Sequence, residues 1–291
     1  MKKLEHRNVV PIYQVLQGPA ADSFIIVMQF CDGGTAKDVS KTNVISLPRA
    51  KSIIRDTSIG LCYIHNKGFV HRDIKPDNIF LTAAGDVKIG DFGFVTDELL
   101  LGFADGAGTP EYIAPETLSS RRCSFQTDVY ALGATFLHMT HGDHWFFRSG
   151  KKSILNDVNF DGHLWRQISD DYCFLPHIPV TWRNTIKGLI NPDIHRRIVS
   201  MDAAANAIAR LPLVENWICV VAPDIVTWEQ EKGRRRIRVE WRDYLTKSDS
   251  WVAWSEGIAG GRKMTLGKSD PATPVPKRYR ALQKFFETRT V

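Results

Sequence analysis

Three motifs stand in fixed order in the first half of the chain: HRDIKPDN at residues 71–78, DFG at 91–93 and GTPEYIAPE at 108–116. Each tripeptide inside them is common. An eight-residue run followed in order and at close spacing by the other two is not, and it constrains the fold more than composition does. Periodicity supplies the frame around them. Apolar runs at 9–16 and 24–31, with Gly18, Pro19 and Asp22 between, read as strand, turn and strand. CDGG at 31–34 ends that pattern. Pro48 suits a helix start, and Ile53, Ile54, Ile59, Leu61 and Ile64 recur at helical spacing until Asn66 and Gly68. A loop over 70–78, a hairpin over 79–90 turning at Ala84-Gly85-Asp86 and a long loop to Pro115 follow. Helices are then predicted over 126–140, 181–190 and 201–210.

After Pro212 the pattern changes. RRIRVEW alternates, with Ile237, Val239 and Trp241 on one face and Arg236, Arg238 and Glu240 on the other. WICVV, IVTW and WVAW read as further strands, GKSDPATPVP at 267–276 as a linker, and 277–288 as an amphipathic helix with Tyr279, Leu282, Phe285 and Phe286 inward. Charge divides at the same point: residues 212–291 hold 15 basic and 10 acidic side chains, a net +5 of the chain's +6. Two modules and an acidic partner for the second are the expectation.

Composition excludes several classes. With 43% hydrophobic and 24% charged residues, the chain has the apolar mass for a core and is neither disordered nor collagen-like. No apolar run approaches the ~20 residues of a membrane span, so no membrane partner is expected. The first residues lack a signal core, and the five cysteines are scattered without CxxC spacing, which reads as reduced thiols in the cytoplasm.

On its three motifs the sequence resembles the eukaryotic-type serine/threonine protein kinases, from residue 1 to about 211. The fold class implied is α+β: residues 1–31 as a remnant of the N-terminal lobe with the hinge, 32–211 as the mostly helical C-terminal lobe, then a small β-rich domain at 212–266 and a linker and helix at 267–291. The reaction implied is transfer of the γ-phosphate of MgATP to a serine or threonine hydroxyl of a protein substrate, work done by positioning and charge neutralisation. Asp73 takes the role of the base that orients the hydroxyl, Lys75 that of a point charge at the γ-phosphate, and Asn78 and Asp91 hold Mg2+ as hard oxygen donors. Phe92 orients its motif. His71 and Arg72 are structural by the same likeness, Glu116 pairs with an arginine of 196–197, and Asp128 accepts hydrogen bonds from the catalytic-loop backbone. Lys75 together with Thr109 resembles the serine/threonine branch, and Phe94 leans toward serine. Met28, Gln29 and Cys31 resemble the gatekeeper and hinge that hold adenine.

Two departures stand out. The glycine-rich loop, strand lysine and helix glutamate of the family are not in the sequence, so the chain is expected to be N-terminally incomplete; the alternatives are a non-catalytic scaffold, or a basic C-terminal binding module with a subsidiary kinase domain. Between Asp97 and Gly108 there is no Ser, Thr or Tyr, and Asp105 stands four before Thr109. There the expectation is either a fixed, weaker anion for Arg72, one charge against about −1.5 to −2 for phosphate, or an ordinary solvated loop acid.

Three weaker signals have ordinary readings. His138, His141 and His144 have a metal-like spacing but lack clustered partners beyond Asp143. Asp77 and Glu111 suit selection of basic residues near the target hydroxyl, or a solvated face. The run 234–238, with Trp217, Trp228, Trp241, Trp251 and Trp254, suits nucleic-acid binding; the favoured reading is a core of tryptophans under a wet strand face. Oligomeric state is not legible.

Overall fold

The computed structural model describes residues 5–20, 23–40, 44–91, 109–120, 123–147, 174–244 and 246–288. Strands β1 (Ile12–Gln17) and β2 (Phe24–Met28) form an antiparallel hairpin, with Val15 opposite Ile26 and Gln17 opposite Phe24. It carries exposed apolar side chains, among them Phe24 and Ile25. The turn is closed by the Gly18 amide donating to Ser23 O at 2.8 Å. A short helix, α1 (Ala36–Ser40), was not foreseen from periodicity. It is started by a reciprocal box in which Asp38 accepts from the Thr35 amide at 3.0 Å and Thr35 Oγ1 accepts from the Asp38 amide at 3.2 Å.

Helix α2 (Leu47–Asn66) follows the predicted spacing, with Pro48 in its first turn and Ile53, Ile54, Leu61 and Ile64 buried. Gly60 lets residue 8 cross the helix closely: a Cβ there would sit 2.5 Å from Asn8 O. The crossing segment is held by the Val10 amide to Ile89 O and the Ile89 amide to Asn8 O, each at 2.9 Å. It is thereby attached to β4 (Val87–Ile89), the partner of β3 (Ile79–Leu81).

After α3 (Pro115–Ser120) comes α4 (Phe125–Phe146), longer than predicted and apolar almost all round, as befits a helix at the centre of a core. A kink at Gly142 (φ 76°) divides it. Helix α5 (Val180–Leu189) approaches α4 at Gly133, where a Cβ would lie 2.5 Å from Leu189 and Ile190 side chains. Helix α6 (Met201–Ala209) is capped by Ser200 Oγ, which accepts from the Ala203 amide at 3.2 Å.

The last part of the chain is a five-stranded antiparallel meander in sequence order: β5 (Ile218–Val221), β6 (Ile225–Lys232), β7 (Arg235–Arg242), β8 (Ser250–Gly257) and β9 (Met264–Lys268). Register aligns Trp228, Val239 and Ala253 in one row and Val226, Trp241 and Trp251 in the next, all buried. Helix α7 (Val275–Glu287) covers this face with Tyr279, Leu282, Phe285 and Phe286. Asp249 fixes the contact by accepting from Trp241 Nε1 at 3.1 Å and pairing with Arg278.

The opposite face is an ion-pair ladder. Arg238 lies 2.9 Å from Glu229 and 3.3 Å from Glu256, and Arg236 lies 3.1 Å from Glu229 and 2.8 Å from Glu231. The sheet also packs against the helical part. Tyr279 donates to Phe174 O at 2.7 Å, the Val44 amide donates to Cys219 O at 3.2 Å, and His177 packs against the mutually touching rings of Trp228 and Phe286. Cys31, Cys62, Cys123 and Cys219 are free thiols. No described helix is long and apolar enough to cross a membrane.

Candidate active site

The loop 70–78 is built outward from one buried carboxylate. Asp128, in the first turn of α4, accepts from the backbone amides of His71 (2.8 Å) and Arg72 (2.9 Å) and meets His65 Nε2 at 2.7 Å. Arg72 needs that support, because its backbone is left-handed (φ 72°), a conformation that costs a non-glycine residue of order 1–3 kcal/mol. His71 is wholly buried, and its Nε2 faces Gly90 O at 3.1 Å. Burial pushes this imidazole below its ordinary range, which keeps it neutral and structural. The loop is therefore tied to the central helix on one side and to the end of β4 on the other.

Within that frame Asp73 is 3% exposed and shares its carboxylate between two neighbours. Asn78 Nδ2 donates to Asp73 O at 2.7 Å and to Asp73 Oδ2 at 2.9 Å. Lys75 Nζ lies 2.8 Å from the same Oδ2 and donates to Thr109 Oγ1 at 3.0 Å. Four residues from HRDIKPDN and GTPEY, 36 positions apart at their extremes, thus form one connected cluster. Asp91 follows directly: Gly90 N donates to Asn78 O at 3.0 Å, and Asp91 turns away into solvent with φ 63°. Asn78 spends its amide nitrogen on Asp73, which leaves its Oδ1 as the free end. Phe92, Phe94 and Asp105 lie outside the described residues.

After β2, the Gln29 amide is taken by Pro11 O at 3.0 Å and Cys31 O accepts from the Gly34 amide at 3.3 Å. Gln29 O and the Cys31 amide have no partner among the described residues. Met28 is 42% exposed. Burial raises the Cys31 thiol above its ordinary range, so it stays protonated.

Glu116 and Arg197 form a bidentate pair at 2.6 and 2.8 Å, with Arg197 also donating to Gln126 O at 2.9 Å. The histidines 138, 141 and 144 do not converge on a metal, and among the described residues no group of His, Cys, Asp and Glu is arranged to hold one. His141 Nε2 accepts from the Leu175 amide at 3.2 Å. His138 joins a polar chain that the spacing did not reveal. Lys37 Nζ pairs with Asp143 at 2.8 Å, Asp143 Oδ1 meets His138 Nε2 at 2.7 Å, and His138 Nδ1 meets the Tyr112 hydroxyl at 2.6 Å. Partial burial alone would raise the Asp143 carboxyl, but the hydrogen bonds from His138 and Lys37 outweigh it and hold it below the usual range. Tyr112 is pushed well above its ordinary value, first by burial and then by the negative charges of Asp77 and Glu111.

A loop carboxylate braced by a lysine and an asparagine, beside a second aspartate at the end of a hairpin, defines a phosphotransferase-like constellation. The chain belongs to the protein kinase family: the model of the protein kinase domain matches residues 1–208. A calcium/calmodulin-dependent protein kinase kinase of Caenorhabditis elegans is 32% identical over 208 residues, 68% of this chain and 37% of that protein. The serine/threonine-protein kinase STE20 of Yarrowia lipolytica is 34% identical over 146 residues, 49% of this chain and 13% of that protein. The serine/threonine-protein kinase TOS3 of Saccharomyces cerevisiae is 30% identical over 167 residues, 49% of this chain and 30% of that protein. The chain thus spans well under half the length of each of these relatives. The α+β class expected from the motifs holds, with mixed helices and short strands ahead of the five-stranded sheet.

Proposed function

We propose that this chain carries the phosphoacceptor half of a serine/threonine kinase site, transferring the γ-phosphate of ATP to a protein hydroxyl. The observation that supports this most is the Asp73 carboxylate, held at once by Lys75 and Asn78 and linked through Lys75 to Thr109. Asp73 accepts a hydrogen bond from the substrate hydroxyl and takes its proton as that oxygen bonds to the γ-phosphorus and the bond to the ADP oxygen breaks. Lys75 already carries its positive charge beside the attacking position, where it offsets charge on the transferred group. Thr109 fixes the lysine's direction.

The donor set suits Mg2+: a buried amide oxygen at Asn78 and an exposed carboxylate at Asp91, both hard ligands on adjoining segments. When bound, Mg2+ supplies charge neutralisation between the phosphates. Gln29 O and the Cys31 amide form an acceptor and a donor two residues apart, the polarity that an adenine edge requires. The relatives' names support a serine or threonine acceptor, and Lys75 with Thr109 agrees with that branch.

The test is transfer of labelled γ-phosphate from MgATP to a basic protein by the 291-residue chain and by Asp73→Asn. Loss of the base is expected to cost about a hundred-fold or more in rate. Equal transfer by both chains would remove Asp73 from the mechanism. Absence of transfer from either would favour a scaffold.

A further inference from the structure

The cations of the C-terminal sheet divide into two sets. Arg236, Arg238 and Arg242 are consumed by Glu229, Glu231, Glu240 and Glu256 in the ladder. Arg234, Arg235, Arg262 and Lys263 have no carboxylate partner among the described residues, and all four lie at one end of the sheet. There the β6–β7 turn meets the β8–β9 turn. The Ile258 amide donates to Arg234 O at 3.1 Å, and Arg235 Nη2 reaches Arg262 O at 3.5 Å. Those four are among the six basic residues of segments 231–236 and 256–264; the other two are paired, Lys232 with Glu215 and Arg236 with Glu229 and Glu231.

The apex is bare and apolar. Gly260 (φ 90°) and Gly261 (φ 131°) carry no side chains, while Ile258 is 44% and Met264 52% exposed. Exposed apolar side chains beside four cations that lack a carboxylate partner among the described residues, Arg235 being held by Ser255 O at 2.9 Å, are complementary to a negatively charged, deformable surface.

We propose that this tip docks on an anionic bilayer surface, with Ile258 entering the headgroup layer and Arg234, Arg235, Arg262 and Lys263 meeting lipid phosphates. Single-stranded nucleic acid fits less well, because stacking needs an exposed aromatic face. Trp217, Trp228, Trp241 and Trp251 are core side chains, and Trp254 is 7% exposed beneath the Lys263 ammonium, 3.7 Å from its ring centroid. The proposal is independent of the transfer chemistry.

The experiment is co-sedimentation of the full chain with phosphatidylcholine vesicles, with and without about a third phosphatidylserine. It is run at about 0.1 M and about 0.5 M salt, between which the screening length falls from ~10 Å to ~4 Å. Binding is expected only with phosphatidylserine and at the lower salt. At about five-fold per basic residue, Arg234→Gln with Arg262→Gln should weaken it about 30-fold. Ile258→Ser should weaken it at the lower salt as well, without changing the charge of the tip. Equal binding by wild type and the double variant, or no binding to anionic vesicles, overturns the proposal. So does binding of labelled single-stranded RNA in place of vesicles that is lost in the double variant, because the phosphates would then be those of nucleic acid.

Discussion

The Tyr112 hydroxyl lies 2.6 Å from His138 Nδ1, and the other imidazole nitrogen lies 2.7 Å from Asp143, so the ring's two nitrogens have opposite duties. Nε2 donates to the carboxylate and Nδ1 accepts from tyrosine, the neutral tautomer that burial of His138 also favours. The chain ends at Lys37 on α1, so the segment carrying Thr109 is attached to two helices through side chains alone. Tyr112→Phe leaves a buried acceptor empty and should cost about 1–3 kcal/mol of stability in denaturant unfolding. His138→Leu should cost a similar amount. The pair should couple by about 1 kcal/mol in a double-mutant cycle, and additive losses would mean that the contact contributes nothing.

Arg197 presents no exposed side-chain surface, and Glu116 answers it with both carboxylate oxygens. Removing the carboxylate leaves a buried guanidinium without its counter-charge. Glu116→Ala is expected to lower stability by about 3–5 kcal/mol, and Arg197→Lys should not preserve the wild-type value because an ammonium cannot match the fork. Thermal unfolding of the two variants decides this: a midpoint close to wild type in Glu116→Ala would show that the pair is energetically idle.

Much of this site was legible because its chemistry is local. His71, Asp73, Lys75 and Asn78 fall within eight residues, whereas Glu116 and Arg197 are 81 positions apart and only the resemblance to the kinases points to that pair. What escaped depends on register and on long loops. Lys37 and Asp143 are 106 positions apart, and α1 is too short for any periodicity to declare it. The alternation of β7 showed that Arg236 and Arg238 share a face, but not that strand pairing sets Glu229 opposite Arg238 and Glu231 opposite Arg236. Strand β9 crosses the expected end of the small domain, because Gly267 and Lys268 read as the start of the linker.

Docking of the sheet on the helical part rests partly on one phenol. Tyr279, 2% exposed, donates to Phe174 O from a helix more than a hundred residues further along the chain. Tyr279→Phe keeps the ring in the core and deletes the bond, so the loss should be about 1–2 kcal/mol and shared by both parts. A single unfolding transition that shifts as a whole is the expected outcome. A variant in which only the sheet melts earlier would show that the two parts unfold independently.

His177 offers the clearest dependence on pH. It is buried against Trp228 and Phe286, its Nδ1 has no partner among the described residues, and burial, aided by the Arg183 guanidinium, pushes its pKa down to about 3. In the unfolded chain the same imidazole titrates near its ordinary ~6.5. Between those values the unfolded state binds a proton that the folded state does not, so stability falls as pH falls. Above pH ~6.5 the contribution is complete; below it about 1.4 kcal/mol is lost per pH unit, or roughly 2 kcal/mol by pH 5. His71 and His138, also depressed by burial, add slope of the same sign, so the wild-type curve alone does not isolate one group. His177→Phe does: an aromatic ring is kept against Trp228 and Phe286 and the titration is removed. Urea unfolding at pH 7.5 and pH 5 should show the variant losing about 2 kcal/mol less than wild type over that interval. Equal losses would place the His177 proton affinity in the folded chain near its unfolded value and contradict the buried, unpaired geometry.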